Sequence, residues 1–185
     1  MSPELYRRAR RAEARAEHAE DRRRLRLEFF RAALAEGLDS LKVKHAEGAS
    51  GGESVRAHAG LVDEVIRALV RLIAADAARE LAAAPFVVVA LGGYGRGELH
   101  PSSDIDLMVV YGGERTPFVQ RATQELLYTL WDLGLQIGHS LRSLDDCVAI
   151  ARTDFPSLTS MQAARYVTGD RRLFARFRRV LRESI

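Results

Sequence analysis

The chain has 185 residues, enough for one ordinary domain with an appendage and too few for two large domains. Apolar types make up 47% and charged types 29%, so a core can form and generic disorder is excluded. The net charge of +3 is local, because residues 1–36 hold 10 Arg against 7 acidic groups while the remainder balances at 18 against 18, so no general nucleic-acid-binding face is indicated.

The first segment, Pro3 to about Glu36, is dense in Arg and Glu and rich in helix formers. Its apolar residues (Leu25, Leu27, Phe29, Phe30, Ala33, Leu34) gather near its end, which describes a solvated helix whose last turns dock on the body and which stops at Gly37. An Arg-rich arm for RNA or a partner protein is the competing reading of the same charges. Residues 48–53 begin with Gly48-Ala-Ser-Gly-Gly52 and read as a flexible linker. Ser54 then caps a long helix with a buried stripe from Val55 through Ile73, ended by Pro85. A buried strand follows at Phe86–Leu91 and a second at Asp104–Tyr111, joined by a glycine-rich loop. Thr116-Pro117 opens another helix closed by Gly134, and Leu135–Leu141 is a third strand. Ser143 with Asp146, then Asp154, then Asp170 are candidate caps of three further helices. The order gives an α+β (α/β) body with a small sheet between N-terminal helices and a C-terminal helical tail. It divides as 1–47, 48–53, 54–152 and 153–185, with an amphipathic run near Ile185 that would suit continuation into a longer protein.

One cysteine, Cys147, excludes an internal disulfide framework and a Cys-based zinc site, and suits a reducing compartment. No apolar run reaches the length of about 18 residues that a membrane span needs, and the charged start lacks a secretory apolar core. A cytoplasmic protein without a membrane anchor is expected.

One constellation carries chemistry. A buried strand runs into Gly92-Gly93, and the loop leads directly to Asp104-Ile105-Asp106 at the start of the next strand. Strand side chains alternate, so Asp104 and Asp106 point the same way, about 7 Å apart, while Ile105 and Leu107 face the core. Two partly desolvated carboxylates on one face repel unless a cation such as Mg²⁺ joins them to substrate phosphates. Alone, D-x-D is a common pattern that more often marks solvated carboxylates at a strand start. The adjoining glycines favour a ligand, because amides without a neighbouring Cβ can approach phosphate oxygens closely. Arg96 supplies a guanidinium, and Ser102 and Ser103 supply hydroxyls. A Walker loop is excluded because the two lysines, Lys42 and Lys44, lie far from these glycines, and a G-x-G-x-x-G fingerprint is absent.

Gly-Gly, ten residues, then D-I-D resembles the signature of the DNA polymerase β-like nucleotidyltransferase superfamily. The strings GGYGRGELHPSSDIDLMVV (92–110) and LWDLGLQIGHSLRSLDDC (130–147) are similar to the nucleotidyltransferase domain of bacterial PII uridylyltransferases, a likeness spanning roughly residues 54–180. That resemblance implies a polymerase β-like core over 54–152, with Asp104 and Asp106 as Mg²⁺ ligands and catalytic groups. Gly92, Gly93, Arg96 and Ser103 would be nucleotide-binding. UTP would be the donor and a tyrosine of a PII-type nitrogen regulatory protein the acceptor, with pyrophosphate released. The same core could serve another base or acceptor, as in protein adenylylation, or act as a non-catalytic nucleotide-binding module. A third carboxylate, usual in the superfamily, is missing from the outward positions Gln136, Gly138 and Ser140 of the third strand, and Asp132 is the nearest in sequence. The phosphohydrolase and regulatory domains of the bifunctional family have no counterpart in these residues. His139, Trp131 and Cys147 read as structural, His100 as substrate-touching or part of a turn, and the Arg cluster 171, 172, 176, 178 and 179 as a solvated face.

Overall fold

The computed structural model describes residues 4–77 and 84–183. The Arg/Glu-rich start forms two helices, α1 (Glu4–Glu13) and α2 (Ala19–Ala46). Gly37 does not end α2. A Cβ there would lie 2.5 Å from Leu61 Cδ1, so the glycine lets α2 approach the next helix closely. Nor is the segment docked by its last turns alone. Ala9 and Glu13 are buried, and the buried Arg26 donates to Glu13 at 2.5 Å, to Asp76 at 3.5 Å and to Glu125. This ion cluster ties both helices to two elements of the body.

Helix α3 spans Gly51–Asp76. Its cap is Ser50, four residues before the expected Ser54, because Glu53 completes a reciprocal box. The Glu53 amide donates to Ser50 Oγ at 3.2 Å, and the Ser50 amide donates to Glu53 Oε2 at 2.8 Å. Gly51 and Gly52 are therefore helical, and the expected joint shrinks to a turn ending at Ser50. The helix closes at Asp76, short of Pro85; residues 78–83 lie outside the described residues.

Four strands form one sheet in the order β3-β2-β1-β4, where β1 is Phe86–Ala90, β2 Ile105–Tyr111, β3 Ile137–Ser143 and β4 Arg165–Gly169. β1 lies antiparallel to both β2 and β4, and β2 lies parallel to β3. β4 corrects the expectation of helix throughout the tail: its Tyr-Val-Thr run is β-prone, and the second edge of β1 pairs with it. β3 starts two residues later than expected, since Leu135 still donates back to the Leu130 carbonyl of the preceding helix.

Helices cover both faces. Against one pack α3 and α5 (Pro117–Asp132), around Ile66, Leu69, Leu107, Val109 and Leu126. Against the other pack α6 (Leu144–Thr153), α7 (Phe155–Gln162) and α8 (Arg171–Glu183), around Val87, Val89, Met108, Val110 and Phe177. α5, α6, α7 and α8 are capped by Thr116, Ser143, Asp154 and Asp170, as the sequence predicts. The result is a mixed α/β domain with a small sheet. Among the described residues no helix is long and apolar enough to cross a membrane.

Candidate active site

Residues Gly92–Gly95 form a single helical turn, α4, directly after β1. Gly92 has φ +55°, a conformation that glycine adopts without strain. The Leu91 amide donates to the Asp106 carbonyl at 2.9 Å, which sets the turn beside the start of β2. The Asp106 carboxylate lies between two glycines. A Cβ on Gly92 would meet its Oδ2 at 2.8 Å, and a Cβ on Gly138, its register partner on β3, would meet its Oδ1 at 2.6 Å. The carboxylate thus fills space that only missing side chains leave open.

The Asp104 charge acts on Asp106. Burial first, and then the Asp104 charge, lifts the Asp106 carboxyl above the ordinary aspartate range. Both side chains remain exposed at the mouth of the site. Arg96 is exposed, pairs with Glu98 at 3.3 Å, and brings a guanidinium nitrogen to 3.7 Å from where a Gly93 Cβ would sit. Gly92, Gly93, Arg96 and Asp106 are therefore gathered. Ser103 sits in an exposed turn with its amide on the His100 carbonyl at 3.1 Å, and its hydroxyl is not joined to the glycine turn by a hydrogen bond.

A buried network holds the turn from below. Asp63 of α3, 5% exposed, accepts from the Tyr94 hydroxyl (2.5 Å), from Arg67 (2.7 Å) and from Arg165 of β4 (2.6 and 3.1 Å). Arg165 also donates to the Tyr94 carbonyl at 3.1 Å and lies over the Tyr94 ring at 5.1 Å. Burial, then the Asp63 charge, pushes the Tyr94 hydroxyl well above its ordinary pKa, so it remains a donor. Sequence reasoning missed this network. The available signal was Asp63, a carboxylate set in an apolar helical stripe with Arg67 one turn on.

Two carboxylates are what the site offers a metal; among the described residues no group of three or more His, Cys, Asp or Glu is placed to hold one. Asp132 is occupied elsewhere, bonding Arg23 at 3.2 Å while its carbonyl accepts from Arg31 at 2.9 Å. The oxygen-only pair still fits Mg²⁺, which keeps several waters and takes further ligands from phosphates. The raised Asp106 pKa is the electrostatic cost that a cation would relieve.

Of the other singled-out residues, Cys147 is fully buried with its thiol pushed up to about 12 by burial, an inert apolar filler. Trp131 is not core: it is 40% exposed and contacts Tyr128 and the exposed His139. The C-terminal arginines are partly engaged, Arg171 over the Tyr166 ring at 4.5 Å and Arg178 on the Ala164 carbonyl at 3.3 Å.

Residues 36–140 match the family described as "Putative nucleotidyltransferase DUF294". The chain belongs to this nucleotidyltransferase family. It is 40% identical over 153 residues to the bifunctional uridylyltransferase/uridylyl-removing enzyme of Azospirillum brasilense, covering 81% of this chain and 16% of that protein. With the proteins of the same name from Phenylobacterium zucineum and Caulobacter vibrioides the identity is 39% and 36%, over 85% and 90% of this chain and 17% and 18% of theirs. The chain thus spans less than a fifth of the length of these relatives.

Proposed function

We propose that this nucleotidyltransferase domain moves UMP from UTP to a tyrosine hydroxyl of a PII-type nitrogen regulatory protein in the cytoplasm, releasing pyrophosphate. The observation that carries the reading is the seating of Asp106 between Gly92 and Gly138, with Asp104 beside it and the diglycine turn alongside. The names of the three bacterial relatives support uridylyl transfer in particular.

In this reading Asp104 and Asp106 would hold Mg²⁺ beside the glycine turn. Bound there, the metal would neutralise triphosphate charge and stabilise the attacking and leaving oxygens. The first amides of a helical turn have no partner within it, so those of Gly92 and Gly93 are available to phosphate oxygens. Arg96, exposed and paired with Glu98, adds a positive charge over Gly93, and Ser103 a hydroxyl at the rim. The acceptor oxygen forms its bond to the α-phosphorus, the bond from that phosphorus to the bridging oxygen breaks, and the hydroxyl proton leaves to solvent. Rate would come from positioning and electrostatics, which the Asp63–Tyr94–Arg165 network serves by fixing the turn.

The absence of a third carboxylate among the described residues favours a second reading, a non-catalytic nucleotide-binding module. Incubation with labelled UTP, ATP, CTP and GTP and PII-type acceptors separates the two. Label from UTP alone, lost in Asp104→Asn/Asp106→Asn with folding retained, is the expected result. Label from ATP instead would make the activity adenylylation. Calorimetric binding of Mg²⁺–UTP without turnover would leave the binding module, and transfer surviving in the double variant would remove these two residues from the mechanism.

A further inference from the structure

We infer that the open edge of β3 is the docking edge for the acceptor protein, an extended segment of which adds to the sheet beyond β3 and presents its hydroxyl across Gly138 to the Asp104/Asp106 pair. The inference rests on the transfer reading above and specifies how the second substrate is held.

Among the described residues β3 has β2 as its single strand neighbour, so one side of its backbone is unpaired. The register fixes which groups that side exposes. Ile105 stands opposite Ile137 and its amide donates to the Gln136 carbonyl at 2.8 Å. In a parallel ladder the groups of residues 136, 138, 140 and 142 therefore turn to β2, and those of Ile137, His139 and Leu141 turn outward. An exposed row of this kind is a template for strand addition unless it is blunted, and β3 carries neither proline nor lysine.

The edge runs past the candidate chemistry. Gly138 stands opposite Asp106 and on the same face, and it contributes no side chain between the carboxylate and the outer edge. An added strand would lie one spacing of about 4.8 Å beyond β3, hence about two spacings from β2. A side chain of that strand over Gly138 points at the carboxylate pair from across the gap. A long hydroxyl-bearing side chain such as tyrosine can cross it, and a serine falls short. The missing Cβ at Gly138 makes room for Asp106 and leaves no side chain of that residue in the path of an incoming hydroxyl.

The other face of the edge offers an anchor. Tyr128 (51% exposed) and Trp131 (40% exposed) are two of the four exposed large hydrophobic residues among those described, and they stand together. Their rings are 5.7 Å apart, and Trp131 meets His139 of β3 edge-on at 5.5 Å. Paired Tyr and Trp at a surface mark protein contacts, because they bury much area at little entropic cost. Tyr128 also lines a cleft of about 410 Å³ with Arg22, Arg23 and Arg121, in which the carboxylates Asp76 and Glu125 are already held by Arg26, so an acidic flank of the docked segment would meet a surplus of positive charge.

The test uses His139→Pro, which deletes an outward amide that β2 does not use, beside His139→Ala, which deletes the imidazole and keeps the amide. Trp131→Ala covers the case in which the proline variant fails to fold. Initial rates are measured with Mg²⁺–UTP and a PII-type protein, and nucleotide affinity by calorimetry. We expect His139→Pro and Trp131→Ala to raise the acceptor KM about tenfold or more with nucleotide affinity unchanged, and His139→Ala to do less. Unchanged acceptor KM in both affected variants, with the unaltered protein active, overturns the inference. So does a β3-edge dimer that His139→Pro dissolves while acceptor KM stays constant. Absence of transfer by the unaltered protein defeats the transfer reading itself, and the docking edge falls with it.

Discussion

Replacing Tyr94 by Phe removes one oxygen and no packing volume, and so isolates the bond beneath the glycine turn. Tyr94 is 1% exposed and its hydroxyl donates to Asp63 at 2.5 Å; Asp63 is itself 5% exposed. A hydrogen bond to a charged group contributes about 1.5–3 kcal/mol. Arg67 and Arg165 remain on Asp63 in the variant, so its charge stays compensated and the loss falls at the lower end, about 1.5 kcal/mol. For a chain of this size that is a drop in Tm of roughly 3–6 °C by calorimetry. Because the same residue is the third position of the turn, affinity for Mg²⁺–UTP should weaken in parallel. A Tm within about 1 °C of the unaltered protein, with affinity unchanged, would refute the account of Asp63 as the fastening of the turn.

Gly138→Ala places a Cβ 2.6 Å from Asp106 Oδ1. The carboxylate end can swing away, so Tm should change little while nucleotide transfer falls about 10²-fold, the cost of a misplacement near 1 Å; full activity would show that Asp106 need not sit where it does. A second outcome concerns pH. The Asp106 pKa is raised by burial and then by Asp104, so the native state binds this proton more tightly than the unfolded chain. The associated stability is complete below the unfolded aspartate pKa of about 3.9 and is lost as pH rises through the native value. Asp106→Asn should therefore melt higher than the unaltered metal-free protein at pH 7 and not at pH 3, and Mg²⁺ should raise Tm in the unaltered protein alone. An equal offset at both pH values would contradict the assignment.

The sequence told most about elements whose physics is local. Thr116-Pro117, Ser143 with Asp146, and Asp154 start helices as their side chains predict, because a cap needs partners within one turn. β1 and β2 were legible from β-branched runs, and the nearness of Gly92 to Asp106 from their order along the chain. What escaped depended on distant partners. Gly37 looks like a stop and is a contact point with Leu61. Arg165 looks like one more surface arginine until β4 pairs with β1 and sets it against Asp63, 102 positions away. Trp131 has the helical spacing of a core residue, yet its ring ends at the rim beside His139, because among the described residues β3 has no strand neighbour on that side. Ser50 rather than Ser54 heads α3 because two short reciprocal bonds outweigh the cost of placing Gly51 and Gly52 in the first turn.

Arg165 reaches back 102 positions to Asp63 and 71 to the carbonyl of the glycine turn. As the polypeptide leaves the ribosome, the glycine bend is made well before Arg165, which helps to lock it. Until β4 pairs with β1 the bend lacks one of its tethers, so competence to handle a nucleotide waits on that pairing. A chain that stops before residue 165 would hold the bend less firmly and compete poorly for triphosphate.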